Sequence, residues 1–139
     1  MIQIIAGEKG KGKTKQLLDK VNTEIKTAHG SIVYLDKNAK HMYELNNKIR
    51  LIDTSAFPIG NSDEFLGFIC GILSQDHDLE QIYLDSFLKV SKLEEKDITG
   101  TLEQLDEIGK QFNVTFVISV SLDKEEVPEA FHDKVIVAL

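Results

Sequence analysis

Short apolar runs alternate along the chain with longer segments in which apolar residues recur every three or four positions. The runs are mostly continuous Ile, Val, Leu and Tyr, as expected of strands that are buried on both faces of a sheet. They predict strands over Ile2–Ala6, Ser31–Asp36, Ile49–Asp53, Gln81–Asp85, Thr115–Val120 and Val135–Leu139. Because strands that alternate with helices favour parallel pairing, the pattern predicts an α/β fold. We expect a three-layer sandwich, with helices on both faces of a mostly parallel five- to six-stranded sheet.

The first segment between strands has the periodicity of an amphipathic helix. Its apolar residues form a single stripe across Lys13–His29, and Gly30 stands where a helix C-cap belongs. The stripe comprises Leu17, Leu18, Val21, Ile25 and Ala28. This pattern predicts a helix that ends at Gly30.

Two later segments predict helices of a different character. Asp63–Gln75 is apolar on nearly all sides, which predicts a largely buried helix whose Gly67 and Gly71 admit a neighbouring backbone. Cys70, on the same helix, is expected to be a small core residue. Thr101–Gln104 has the pattern of a capping box and precedes apolar residues at helical spacing, so we expect a helix to begin there.

Composition and charge narrow the class of protein. The 139 residues suit one domain over the whole chain, and the longest solid apolar run, Phe65–Leu73, is far shorter than the ~20 residues that span a bilayer. The start of the sequence has no pattern of a cleavable signal. Sixteen basic and 23 acidic residues give a net charge of −7, which disfavours nucleic acid and anionic membranes as partners. A single cysteine excludes an internal disulfide framework. We therefore expect a cytoplasmic protein.

One octapeptide after the first strand carries the clearest chemistry. It matches the pattern G-x-x-x-x-G-K-[ST] with Gly7, Glu8, Lys9, Gly10, Lys11, Gly12, Lys13 and Thr14. Glycines permit backbone conformations in which successive N–H groups wrap a phosphate, and the helix that follows adds its positive end. The motif predicts a phosphate-binding loop in which Lys13 reaches the β- and γ-phosphates and the Thr14 hydroxyl binds Mg²⁺. A purely structural Gly/Lys turn is the alternative.

Charged residues around this loop extend the prediction. Lys9, Lys11 and Lys15 either strengthen the positive field at the phosphates or are ordinary solvated lysines. A bound Mg²⁺ needs a carboxylate for its ligand shell, and Asp85 ends an apolar strand later in the chain. We expect Asp85 to coordinate the metal, with an ordinary strand terminus as the alternative.

Four stretches together resemble the ATPase core of RecA-like P-loop proteins. They are Gly7–Thr14, Val33–Asp36, Tyr83–Ser86 and Val117–Ser119, and the order of elements agrees over nearly the whole chain. The resemblance implies ATP or ADP with Mg²⁺ as cofactors. It also implies a sheet in which the strands lie in the order third, second, fourth, fifth, first, sixth.

The same resemblance implies where several polar residues lie. Asp36 and Asn38 would stand beside Asp85 at the carboxyl edge of the sheet, where ligands bind in open α/β folds. Ser119 or Ser121, at the end of the fifth strand, would sense the γ-phosphate, with plain strand hydroxyls as the alternative.

A narrower resemblance is to short Gram-positive bacterial proteins often labelled twitching-motility (PilT-type) ATPases. Gly7–Lys15, Phe68–Asp78 and Tyr83–Val90 carry it. Motility ATPases themselves resemble longer two-domain chains with acidic and histidine boxes, which this sequence lacks. Only the nucleotide-binding part of that name is therefore carried over.

Departures from the RecA-like pattern bear on catalysis. Where those proteins carry a water-activating glutamate, this chain has Asn38, and where other P-loop ATPases carry one it has Ser86. Neither side chain accepts a proton from water, although Asp36 would substitute if its carboxylate reached inward; a positioned base contributes about 10²–10⁴-fold. Arg50, the only arginine, falls within a strand, so no loop supplies an arginine finger.

These features predict an ATP-binding protein that hydrolyses slowly or acts as a nucleotide-dependent switch, with Lys13, Asp85 and Asp36 as its catalytic residues. The alternatives are a small-molecule nucleotide kinase, for which we find no acceptor domain, and a noncatalytic scaffold. The polar stretch Lys89–Gly100 is expected to be a solvated crossing loop or short helix, with a substrate lid as the alternative. We expect a monomer or weak homo-oligomer, and leave a protein partner open.

Overall fold

Six strands form one sheet in the computed structural model, which describes all residues from Met1 to Leu139, and every strand pairing is parallel. The strands are β1 (Ile2–Ala6), β2 (Ser31–Asp36), β3 (Arg50–Asp53), β4 (Leu79–Leu84), β5 (Thr115–Val120) and β6 (Val135–Ala138). Their order is β3-β2-β4-β5-β1-β6. The predicted parallel α/β sheet is confirmed, and the strand order agrees with the one that the resemblance implies.

Four α-helices lie between the strands. They are α1 (Lys13–Glu24), α2 (Ser62–Gln75), α3 (Phe87–Val90) and α4 (Thr99–Phe112). None of the helices is both long enough and apolar enough to cross a bilayer.

Side chains of alternate strand residues point to opposite faces of the sheet and build two separate apolar clusters. Ile4 belongs to a cluster of 25 buried residues to which α2 and α4 contribute. Its neighbour Ile5 belongs to a cluster of 10, in which Leu17 and Val21 of α1 are fully buried. Both faces of the sheet are therefore covered, which explains why the strands read as continuous apolar runs.

The end of α1 differs from the prediction. The helix ends at Glu24, with Ile25 as its C-cap, so the predicted continuation to His29 and the cap at Gly30 are wrong. Gly30 instead lies directly against the loop before β4: a Cβ there would be 1.9 Å from the backbone oxygen of Asp78. A glycine is needed at this position because two distant backbone segments meet there.

Helix α2 is buried on one side only. Phe65 and Ile69 are fully buried, whereas Gly67, Cys70 and Gly71 are exposed. No atom lies within 4 Å of a Cβ placed at either glycine. The predicted close approach of a backbone and the predicted core position of Cys70 are therefore wrong, because small residues made the exposed side look apolar in sequence.

Helix α4 begins two residues earlier than its predicted capping box. Ile98 is the N-cap and offers no side-chain hydrogen bond, while Thr101 is buried within the first turn. Asp97 does the capping instead, since its Oδ1 accepts hydrogen bonds from the backbone N of Thr99 at 3.0 Å and from its Oγ1 at 2.7 Å. These bonds lower the pKa of Asp97.

The polar stretch Lys89–Gly100 is anchored along its length. Val90, Ser91, Leu93 and Ile98 are buried, α3 ends within the stretch and α4 begins before its end. The prediction of a short helix is correct for its first residues. Five exposed charged residues, Lys92 and Glu94–Asp97, face solvent between the buried anchors.

Candidate functional site

A cleft of about 510 Å³ opens at the carboxyl end of the sheet. The loop after β1, the first residues of α1, the ends of β4 and β5 and the segment after β4 line it. Eight of the residues predicted for the site, counting both alternatives for the γ-phosphate sensor, are among the lining residues: Lys9, Gly10, Gly12, Lys13, Thr14, Asp85, Ser119 and Ser121. The structure leaves five others outside the lining: Gly7, Glu8, Lys11, Lys15 and Asp36.

Glycines shape the loop between β1 and α1 for two reasons. Gly10 and Gly12 have φ angles of 86° and 93°, in the left-handed region that residues with side chains avoid. Gly7 has a different role, because it lies beside the end of β6, and a Cβ there would approach the Cβ of Leu139 to 3.0 Å. Two of the three glycines thus set the direction of the backbone N–H groups, and the third permits close packing.

A run of unpaired backbone donors lies at this cleft, whose lining includes part of the run. No backbone N–H from Glu8 to Lys15 has a hydrogen-bond partner within the chain, and the first that does is Gln16, bonded to the oxygen of Gly12 at 3.2 Å. A helix N-terminus leaves up to four such donors, and the loop before α1 adds the others. Unpaired N–H groups at a helix start form a binding site for an anion such as phosphate.

The side chain of Lys13 reaches back to the start of the loop. Its Nζ donates a hydrogen bond to the backbone oxygen of Glu8 at 3.0 Å. Partial burial lowers the pKa of Lys13, and the negative charge of Asp85 opposes that effect. A neutral carbonyl is a weaker partner for an ammonium group than a charged oxygen, so Lys13 is able to exchange this bond for one to a phosphate.

Asp85 is the centre of a hydrogen-bond network. It is 2% exposed and lies one residue past β4. Its Oδ1 accepts hydrogen bonds from Thr14 Oγ1 at 3.3 Å, from Ser119 Oγ at 3.0 Å and from the backbone N of Ser86 at 2.8 Å. Its Oδ2 accepts one from the hydroxyl of Tyr34 at 2.8 Å. The two side chains predicted to hold Mg²⁺, Thr14 and Asp85, are thus in direct contact.

Ser119 and Ser86 are bonded to each other as well as to Asp85. The backbone N of Ser86 also donates to Ser119 Oγ at 3.0 Å. Ser86 has a φ of 53°, which is uncommon for a residue with a side chain. The two acceptors, Ser119 and Asp85, hold it in that conformation.

Asp36 is buried at the end of β2, outside the lining of the cleft. Its Oδ1 accepts a hydrogen bond from the backbone N of Lys37 at 2.7 Å. Burial and the negative charge of Asp85 raise the pKa of Asp36 to about 6. Asn38 is engaged locally, since its Oδ1 accepts from the backbone N of Lys40 at 2.9 Å. The carboxylates that line the cleft are those of Asp85 and Glu94.

The sequence does not identify Tyr34 and Glu94 as residues of the site. In the sequence Tyr34 is part of an apolar strand, whereas in the structure its phenol hydroxyl is the side-chain group of β2 that bonds to the Asp85 carboxylate. Glu94 lies in the polar stretch Lys89–Gly100, where nothing in the local sequence pattern distinguishes it from Glu95. A tyrosine in a strand of Ile, Val and Leu was the available signal, because a buried hydroxyl needs a partner.

The donor set fits Mg²⁺ held together with a phosphate. Thr14 Oγ1 and the Asp85 carboxylate are hard oxygen ligands, and Mg²⁺ in nucleotide sites takes one or two protein oxygens, water and phosphate oxygens. No group of three or more His, Cys, Asp or Glu side chains is placed to hold a metal ion. Thr14 and Asp85 would supply protein oxygens to the metal, and a bound phosphate would supply further ligands.

A second cleft of about 530 Å³ adjoins the first at the ends of β2 and β3. Lys37, Lys89 and Glu94 line both clefts, and Lys92 lines the second only. None of the three lysines forms an ion pair. Phe57 adds an exposed aromatic wall, so the second cleft combines an apolar surface with unpaired positive charge.

Comparison with known proteins does not assign the chain to a family. No protein-family model matches the chain, and a search of curated proteins finds no match. The resemblance to RecA-like P-loop proteins therefore stays a prediction from the sequence, with which the strand order agrees.

Proposed function

We propose that the protein binds a nucleoside triphosphate with Mg²⁺ in the cleft at the carboxyl end of the sheet, and that it hydrolyses the nucleotide slowly or responds to it as a switch. One observation carries the proposal: the unpaired backbone donors of Glu8–Lys15. They lie next to the contact between Thr14 and Asp85. Donors in an exposed turn can bind water, so the number of unpaired groups alone does not indicate a ligand; their position at the start of α1, beside a metal-compatible pair of oxygens, favours an anion.

Each part of the loop has a distinct task in this proposal. The backbone N–H groups surround the phosphates, and the ammonium of Lys13 neutralises their charge once it leaves the oxygen of Glu8. The Thr14 hydroxyl and the Asp85 carboxylate hold the metal ion. When bound, Mg²⁺ supplies charge neutralisation between the β- and γ-phosphates.

We expect slow hydrolysis because the cleft positions neither a general base nor an arginine. Both oxygens of Asp85 already accept hydrogen bonds. Glu94 is exposed, and no hydrogen bond fixes its carboxylate. Arg50 lies at the opposite end of the sheet, bonded to Asp76 at 3.0 Å. Without a positioned base or an arginine we expect a turnover below about 1 s⁻¹, the lower end of the usual enzyme range.

Calorimetric titration of the purified protein with ATP and Mg²⁺ tests the proposal. Lys13→Ala is expected to weaken binding about 10–100-fold, because a charged hydrogen bond to phosphate contributes about 1.5–3 kcal/mol. Lys11→Ala is the matched control: it removes a lysine of the same loop that does not line the cleft, and we expect a change of less than about threefold.

Three results of that titration would contradict parts of the proposal. Absence of binding of ATP, ADP and GTP to the wild type would overturn it. Equal losses in the two lysine variants would mean that general charge, and not the loop, attracts the nucleotide. Phosphate or ADP binding without any preference for ATP would favour the noncatalytic scaffold.

The second cleft supports one alternative function, a small-molecule nucleotide kinase. It is continuous with the first through Lys37, Lys89 and Glu94, and its unpaired lysines suit an anionic acceptor. ADP formation should then appear only when a member of a panel of phosphorylated or carboxylated compounds is added. It should fall in Lys92→Ala, because Lys92 lines the second cleft alone. ADP formation that no compound stimulates would exclude this alternative.

A further inference from the structure

Tyr34 lies in the middle of β2, beneath the proposed nucleotide site. Its side chain is fully buried on the face of the sheet that α1 covers. β2 and β4 are neighbours, with Tyr34 opposite Tyr83 in the register, and the two rings stack at 6.1 Å between centroids. From this position the phenol hydroxyl of Tyr34 extends past the end of β4 and donates to Asp85 Oδ2 at 2.8 Å.

The two oxygens of Asp85 have unequal surroundings. Oδ1 accepts three hydrogen bonds, from Thr14, Ser119 and the backbone of Ser86. Oδ2 accepts one within the chain, from Tyr34. Because Asp85 is buried, removal of the phenol hydroxyl would leave Oδ2 without a donor from the chain, and only the bonds to Oδ1 would still orient the carboxylate.

Tyr34 is suited to this task because it remains a donor. A phenol has an ordinary pKa of about 10 and is therefore protonated at neutral pH. Because Asp85 Oδ2 is an acceptor 2.8 Å away, the Tyr34 hydroxyl donates to it.

We propose that Tyr34 is the positioning residue for the metal-binding carboxylate: its hydroxyl holds Asp85 so that Oδ1 faces Thr14 and the cleft, and this sets the Mg²⁺ requirement of nucleotide binding. The inference rests on the proposed function. Groups that orient a metal ligand in this way typically change metal affinity by about 10–100-fold when they are removed.

Tyr83 provides a matched control within the same pair of rings. It is also fully buried, and it belongs to the same apolar cluster. Its hydroxyl donates to Gln81 Oε1 at 2.8 Å, within its own strand, and makes no bond to Asp85. Tyr34→Phe and Tyr83→Phe each remove one hydroxyl and keep the ring, so their difference isolates the bond to Asp85.

The experiment measures the affinity for a non-hydrolysable ATP analogue by calorimetry, first with EDTA and then across a Mg²⁺ titration. In Tyr34→Phe we expect the Mg²⁺ concentration for half-maximal enhancement of binding to rise about 10–100-fold. The affinity measured with EDTA should change by less than about threefold, since the phosphate loop is untouched. In Tyr83→Phe neither quantity should change by more than about twofold.

Loss of stability in Tyr34→Phe does not obscure the result, because the stoichiometry of each titration reports the folded fraction and the metal-free affinity reports whether the phosphate loop is intact. An unaltered Mg²⁺ requirement in Tyr34→Phe would overturn the inference, and so would equal shifts in the two tyrosine variants. Failure of the wild type to bind the analogue at any Mg²⁺ concentration would overturn the proposed function as well. A wild type that binds normally, together with an unchanged Tyr34→Phe, would contradict the positioning role alone.

Discussion

The two ends of the parallel sheet differ in how they satisfy their polar groups. At the amino end, two charged side chains have partners within the chain: Arg50 bonds to Asp76 at 3.0 Å, and the backbone N of Gly30 donates to Glu80 Oε2 at 2.7 Å. At the carboxyl end, the backbone donors of Glu8–Lys15 have no partner within the chain, and Lys37 forms no ion pair.

This difference separates the groups that stabilise the fold from those that are available to a ligand. Unpaired donors beside a cleft contribute nothing to the stability of the free protein, whereas paired groups at the amino end do. Substitutions at the amino end should therefore change the free energy of unfolding and leave nucleotide affinity alone. Substitutions at the carboxyl end should change affinity, and some should raise stability.

Gly30→Ala is expected to have the largest effect on stability. The new Cβ would lie 1.9 Å from the backbone oxygen of Asp78, so the start of β2 and the loop before β4 would have to separate. We expect a loss of about 2–4 kcal/mol in the free energy of unfolding, measured by urea denaturation. Nucleotide affinity, measured below the unfolding transition, should stay within about twofold of the wild type.

Gly67→Ala is the control for that substitution. Gly67 lies in α2, where a new methyl group would have no atom within 4 Å, and alanine favours a helix over glycine by about 0.5–1 kcal/mol. We therefore expect a small gain in stability from the same chemical change. A loss of stability in Gly67→Ala, or none in Gly30→Ala, would contradict the contrast between the two glycines.

These two glycines also show what the sequence does and does not predict. The strands were predictable because a sheet covered on both faces requires continuous apolar runs, and β1, β2 and β5 have the predicted bounds. The reason for Gly30 was not predictable, because its neighbour Asp78 is distant in sequence and meets it only through the pairing of β2 with β4. The predicted close approach of a backbone to Gly67 was wrong because local composition does not show which side of an apolar helix is covered.

Some contacts of the candidate site are also predictable from the sequence, and others are not. The contact between Thr14 and Asp85 follows from a loop motif and a strand that ends in an acid, both visible in the sequence. The bond from Tyr34 to Asp85 depends on the register between β2 and β4, which periodicity does not determine. Asp36 ends the strand next to β4 and senses the charge of Asp85, as the strand order implies, but the sequence does not indicate that it is buried outside the lining of the cleft.

Asp36→Asn is expected to have an intermediate effect, as a gain in stability at the carboxyl end. The pKa of Asp36 is raised from 3.8 to about 6, so the folded state favours the protonated acid. The stability that the protonated acid contributes is fully present below about pH 4 and is lost as the pH rises through about 6. Asparagine is uncharged at every pH, so the variant should be more stable than the wild type by about 1–2 kcal/mol at pH 7.5.

Urea denaturation of both proteins between pH 4 and pH 8 checks this prediction. The difference in stability should be near zero at pH 4 and should grow as the pH rises to 7. Asp53→Asn is the matched control, because Asp53 is the register partner of Asp36 on β3 and is less deeply buried. A constant difference across the pH range would mean that the titration of Asp36 does not cause it.

Glu94→Gln should have the smallest effect, and it tests whether the carboxyl end supplies a base. Glu94 is the carboxylate of the cleft that no hydrogen bond fixes. A positioned base accelerates such reactions by about 10²–10⁴-fold, but an exposed and unrestrained one cannot hold a water molecule in line with the phosphate. We expect phosphate release from ATP to change by less than about threefold in Glu94→Gln, and equally little in Glu95→Gln, whose carboxylate lies outside the cleft.

A hundredfold loss confined to Glu94→Gln would instead identify Glu94 as the base. It would also mean that the stretch Lys89–Gly100 moves when nucleotide binds, since a carboxylate held by nothing in the free protein would have to be fixed in the complex.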